Sequence, residues 1–160
     1  MKPTVSSLSM LVVKTGVMLG GLSEAQRQLA LAVAAAAIPV DVEHSEAQVN
    51  AALKRCLTAE TAFLDTDHVE LRRWLVDTGW WQRDGFGRAY RRRAADDLPA
   101  VLQPMQQALA GLDLPAWVAA EQARAMSARA DRRAAWAQQR GQQRGQQGGQ
   151  PEQATARRDA

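Results

Sequence analysis

Apolar positions first recur at helical spacing through Leu8, Leu11, Val12, Thr15 and Leu19. Gly16, Gly20 and Gly21 weaken that run and predict its end, so residues 1–22 are expected to hold a marginal helix. Ser23-Glu24-Ala25-Gln26 then has the form of a capping box, in which the serine hydroxyl accepts from the glutamine amide and the glutamine reaches back. The helix it starts places Leu22, Gln26, Leu29, Val33 and Ala37 on an inward stripe, and Pro39 stops it. The same grammar returns at Ser45-Glu46-Ala47-Gln48, followed by Val49, Ala52, Leu53 and Cys56 at spacings of three and four. Asp65 and Thr66 offer caps for a third helix over about Asp67 to Thr78, and Gly79 suits the left-handed position beyond its end.

After the third helix the period changes. Trp80-Trp81-Gln82-Arg83 and Arg88-Ala89-Tyr90-Arg91 flank Asp84-Gly85-Phe86-Gly87, which predicts two aromatic-rich strands around a glycine-bearing turn. From Asp96 the pattern is helical again, with Leu98, Val101, Leu102, Met105 and Leu109 on one side and Gly111 as the stop. A last helix is expected from near Asp113, with Pro115 in its first turn, through Trp117 toward Gln139. The repeats Gln138 to Gly141 and Gln142 to Gly145 decay into Gly, Gln and Pro, a composition that predicts disorder over 141–160. The expected architecture is mainly α: a winged-helix-like three-helix domain with a C-terminal β-hairpin over 23–93, additional helices over 94–140, and a disordered Gln/Gly/Arg tail.

Composition narrows the partners without choosing one. Much of the 46% hydrophobic content is alanine, so the core is expected to rest on Leu, Val and Trp. A net charge of +3 and a pI near 9.6 permit a polyanionic partner. The single cysteine, Cys56, excludes an internal disulfide framework and fits a cytoplasmic location. Lys14 interrupts the apolar stretch Leu8–Leu22, which argues against a secretory signal. Lys14, Glu24, Gln26, Arg27 and Gln28 deny the roughly 20 unbroken apolar residues of a membrane span.

A run of residues resembles a known bacterial family. Val49-Asn50, Leu53-Lys54-Arg55, Asp67-His68, Leu71-Arg72-Arg73, Leu75-Val76-Asp77, Gly79 and Arg83-Asp84 are similar to the pattern of domain of unknown function 2087. The likeness covers about Ser23 to Arg93. It implies a winged-helix-like fold and a regulatory link, because members stand alone or are attached to repressor-type helix-turn-helix domains. It implies no reaction. Residues 1–22 are too short to be such an attached domain.

At about 100° per residue, Leu71, Trp74, Leu75 and Thr78 share one face of the third helix, and Val69, Arg72, Arg73 and Val76 the opposite one. The second face offers two guanidinium groups for guanine edges or phosphates. The competing reading is that Arg72 and Arg73 make internal ion pairs or helix-helix contacts, for instance with the acids of the same region, Asp65, Asp67, Glu70 and Asp77. The hairpin adds Arg83, Arg88, Arg91, Arg92 and Arg93 against Asp84, either as a wing on a nucleic-acid backbone or as a solvated edge that deters aggregation. Trp80, Trp81 and Tyr90 are expected in the core rather than stacked on bases. Arg129, Arg132, Arg133, Trp136 and Arg140 form a basic stripe on the last helix, either a phosphate grip or a face that is solvated or packs on a partner helix.

Catalysis finds little in the sequence. His44, His68 and Cys56 match neither a zinc spacing nor a local nucleophile pair, and His68 beside the Asp67 cap has the position of a structural histidine. No phosphate-binding or dinucleotide glycine pattern is present. The expectation is a non-enzymatic regulatory binding module, DNA-binding and transcription-linked, with Arg72, Arg73, Arg88, Arg91 and Arg92 as contact residues. No cofactor, metal, membrane or small-molecule substrate is expected. The alternative is a protein-interaction adaptor or a homo-oligomerisation module.

Overall fold

Three side-chain caps set the frame of the chain. In the computed structural model, which describes residues 5–149, α1 (Val5–Val12) comes first and buries Leu8, Leu11 and Val12. Both capping boxes form. Ser23 starts α2 (Glu24–Ala35) and Ser45 starts α3 (Glu46–Leu57), each serine accepting from the amide three residues on. Asp67 starts α4 (His68–Asp77), its carboxylate accepting from the amides of Val69 and Glu70 at 2.8 Å each. Those two bonds, Glu70's first, hold the Asp67 carboxyl below its ordinary pKa.

The marginal N-terminal helix is shorter than its periodicity predicts. It stops at Val12, and Gly16 takes a left-handed φ of +66°. Val17 then exchanges backbone hydrogen bonds with the Phe63–Asp65 stretch, and Leu19–Gly21 form a single 3₁₀ turn. Arg27 fastens that turn to α2. Its guanidinium donates to the carbonyls of Leu19 and Leu22 and to Glu24, and lies 5.1 Å from the Trp74 ring.

α2 is the central helix. Its predicted inward stripe is too narrow, because every residue from Gln28 to Ala35 is buried. Ala30, Ala32, Ala34 and Ala35 are the reason. Their small side chains let α1, α4 and α5 (Gln103–Leu109) pack against this one helix. Trp80 and Trp81 are both buried, and each indole N–H finds a partner, Gln28 at 2.9 Å and the Ala35 carbonyl at 3.2 Å.

The sheet departs from the expected closing hairpin. β2 (Trp81–Arg83) and β3 (Ala89–Arg92) pair antiparallel as predicted. A further strand, β1 (Glu43–Ser45), lies between α2 and α3 and pairs antiparallel with β3, giving the order β1-β3-β2. The chain then continues into α5 and α6, so the sheet is not C-terminal. The molecule is mainly helical with one small three-stranded antiparallel sheet. In the hairpin turn Asp84 accepts from the amides of Arg88 and Ala89 at 2.7 and 3.2 Å, and Gly87 adopts φ +69°.

α6 (Leu114–Gln147) is 34 residues long and outlasts its predicted end near Gln139. The helix continues through Gly141 and Gly145, each costing about 1 kcal/mol relative to alanine, in a run otherwise made of the good helix formers glutamine and arginine. The rest of the tail expected to be disordered, 150–160, lies outside the described residues. The chain divides into two units, Met1–Ala123 and Arg124–Ala160. In the first, Val118 is buried, Glu121 accepts from Ser9, and Gln122 donates to the Val12 carbonyl. In the second, the described residues from Met126 to Gly149 are exposed throughout.

Candidate nucleic-acid interface

Two elements bring three arginines of the first unit together. Burying Leu71 and Leu75 leaves Arg73 exposed on the opposite side of α4 with Arg72 at its edge, and the hairpin of β2 and β3 follows directly. Between them lies a groove of about 170 Å³, lined by Arg72, Arg73, Val76, Asp77, Arg83 and Tyr90. Three guanidinium groups therefore share one recess. Arg88, in the hairpin turn, is exposed, and Phe86 beside it is 85% exposed.

The five expected contact residues do not behave alike. Arg73, Arg88 and Arg91 are exposed. Arg72 is held inside the fold: it donates to Glu46 at 3.0 Å and to Asn50, and lies over the Tyr90 ring at 5.6 Å. Its side chain is only 15% exposed, so the ion-pair reading applies to it, with a partner on α3 rather than on α4. Arg92 turns back to the Ile38 carbonyl at 3.3 Å, and burial lowers the pKa of its guanidinium. Arg91 stands opposite Glu43 on β1 and Gln82 on β2. It lines a separate concavity of about 580 Å³ that also includes Asp41, Glu43, Asp84 and Asp97. Phosphate would meet carboxylates there. Arg83, by contrast, joins the groove, and its place on the strand after α4 is the signal that could have found it.

Cys56 and His44 have short-range partners. The Cys56 thiol is buried beside the Thr61 hydroxyl at 3.3 Å, and burial pushes its pKa up to about 11, opposite to what a nucleophile needs. His44 contacts the Val42 carbonyl at 2.9 Å through Nδ1. Among the described residues no group of three His, Cys, Asp or Glu side chains is placed to hold a metal ion, and no helix is long and apolar enough to cross a membrane.

A protein-family comparison covers the segment that builds this groove. Residues 22–92 match the DUF2087 family model. The family is described as an uncharacterized protein conserved in bacteria. The DUF2087 match runs from the residue before the Ser23 cap to the end of β3, so it takes in α2, α3, α4 and all three strands. No curated protein and no solved structure matches the chain.

Proposed function

We propose that the DUF2087 region is a winged-helix-like regulatory module that binds duplex DNA through the groove between α4 and the β2–β3 hairpin. The observation that carries this reading is the convergence of Arg72, Arg73 and Arg83 on one recess. Arg73 and Arg83 supply accessible charge, and Arg88 extends it to the hairpin tip. Arg72, braced by Glu46 and Asn50, acts as a fixed wall of the groove. The element order supports the fold assignment: a helix, a short strand, two helices and a hairpin, with the first strand paired to the third. Regulation by binding, within a bacterial cytoplasm, is the corresponding biological role.

The test is fluorescence anisotropy with random duplex DNA over a salt series, comparing wild type with Arg73→Ala/Arg83→Ala/Arg88→Ala. Each phosphate contact removed lowers the slope of log K against log salt by about 0.9, or about 2.7 for three. An unchanged slope with unchanged affinity sinks the groove assignment. The adaptor reading draws on a different observation, the carboxylates around Arg91. Absence of DNA binding at low salt, with capture of a basic protein that Asp41→Asn/Glu43→Gln abolishes, would favour it.

A further inference from the structure

Charge is distributed very unevenly between the two units. Residues 1–123 contain twelve Lys and Arg against fourteen Asp and Glu, whereas residues 124–160 contain eight against three. The excess positive charge of the protein therefore lies outside the DUF2087 match. Within the described part of the second unit, Asp131 is the one acid.

The helix sorts these charges by face. At about 100° per residue, Arg129, Arg132, Arg133, Arg140 and Arg144 fall with Trp136 within an arc of about 120°, and Asp131 falls opposite. Apart from Asp131 and Gly141, the remaining arc is alanine and glutamine. Trp136 is 59% exposed, with the Arg140 guanidinium 4.0 Å above its ring, and Arg129, Arg132 and Arg133 line the open surface beside it. A helix this polar has no apolar seam to pair with a second copy, and superposing two such faces would set guanidinium against guanidinium. An anionic surface is what complements it.

We infer that the α6 segment from Arg129 to Arg144 is a second DNA-binding surface, one that grips the phosphates of duplex DNA without reading sequence. The fifteen helical steps from Arg129 to Arg144, at about 1.5 Å each, span about 22 Å, more than the ~12 Å width of the B-DNA major groove, so arginines at the two ends reach the backbones that wall it. The five guanidinium groups exchange condensed counterions for protein charge, which makes the contact strong at low salt and steeply salt-dependent. This surface shares no residue with the α4–hairpin groove, so the two are tested independently.

The experiment uses the full chain, with anisotropy on random duplex DNA and on a single strand of equal length across a salt series. Arg132→Ala/Arg133→Ala/Arg140→Ala keeps or raises helix propensity, so circular dichroism is expected to show an intact helix. The expected result is a fall of about 2.7 in the salt slope on duplex, with restoration of the slope by the corresponding triple lysine variant. An unchanged slope in the alanine variant overturns the inference, even if the groove variant loses binding. Loss in the arm variant alone, with the groove variant behaving as wild type, supports the arm and removes the groove reading. Binding only to the single strand, or only to vesicles containing phosphatidylserine, also overturns the inference.

Discussion

α2 and the second unit's part of α6 are both rich in alanine, and they use it in opposite ways. In α2, Ala30, Ala32, Ala34 and Ala35 are buried, and their value is the space they leave for neighbouring helices. In α6, Ala128, Ala130, Ala134, Ala135 and Ala137 are exposed, and their value is helix propensity alone. Composition is therefore silent about burial. Leucine, valine and the partnered Gln28 mark α2 as a core helix, and repeated arginine marks the second segment as a solvated one.

Truncating a large side chain in each helix should separate them most clearly. Leu31 is fully buried, so Leu31→Ala is expected to cost about 2–5 kcal/mol in urea unfolding. Met126, 68% exposed, should change stability by less than about 0.5 kcal/mol when replaced by alanine. Equal losses would mean that the second segment is packed in solution. Gln28→Ala comes next, at about 1–3 kcal/mol, because it leaves the buried Trp80 N–H without its acceptor. A neutral result would show that the indole finds another partner.

Smaller effects sharpen the contrast. Ser23→Ala and Ser45→Ala should each cost about 1 kcal/mol, since both caps lie at exposed helix starts regardless of how deeply the helix is buried afterwards. A much larger loss at Ser23 would show that the central helix depends on its cap for packing as well as for its amides. Ala135→Gly should weaken the exposed helix locally by about 1 kcal/mol, read as faster amide exchange around position 135, while the unfolding midpoint of the first unit stays fixed.

Legibility in the sequence followed the range of the interactions. The starts of α2, α3 and α4 depend on contacts within three residues, and Ser23, Ser45 and Asp67 announce them. The β2–β3 hairpin was visible through Asp84 and its glycines for the same reason. β1 was not, because Glu43-His44-Ser45 shows no alternation of apolar and polar residues and becomes a strand only by pairing with β3, far along the chain. The candidate site was half legible. The two-sided pattern of α4 showed which residues face out, but the fate of Arg72 was decided by Glu46 and Asn50, and that of Arg92 by the Ile38 carbonyl. No local rule contains those partners.

Gly79, which follows α4, has φ +93°, and a β-carbon placed there would come within 2.8 Å of the Pro99 ring. Two demands thus meet at one position, a left-handed backbone and an absent side chain, and the second is imposed by a residue on the far side of the sheet in sequence. The two positions are sterically coupled. A lineage that shortened or replaced the segment carrying Pro99 would relax only the steric half of the constraint, whereas one that kept the proline would be held to glycine on both counts. Variation at position 79 is thus expected to be rarest in relatives that retain a proline at position 99.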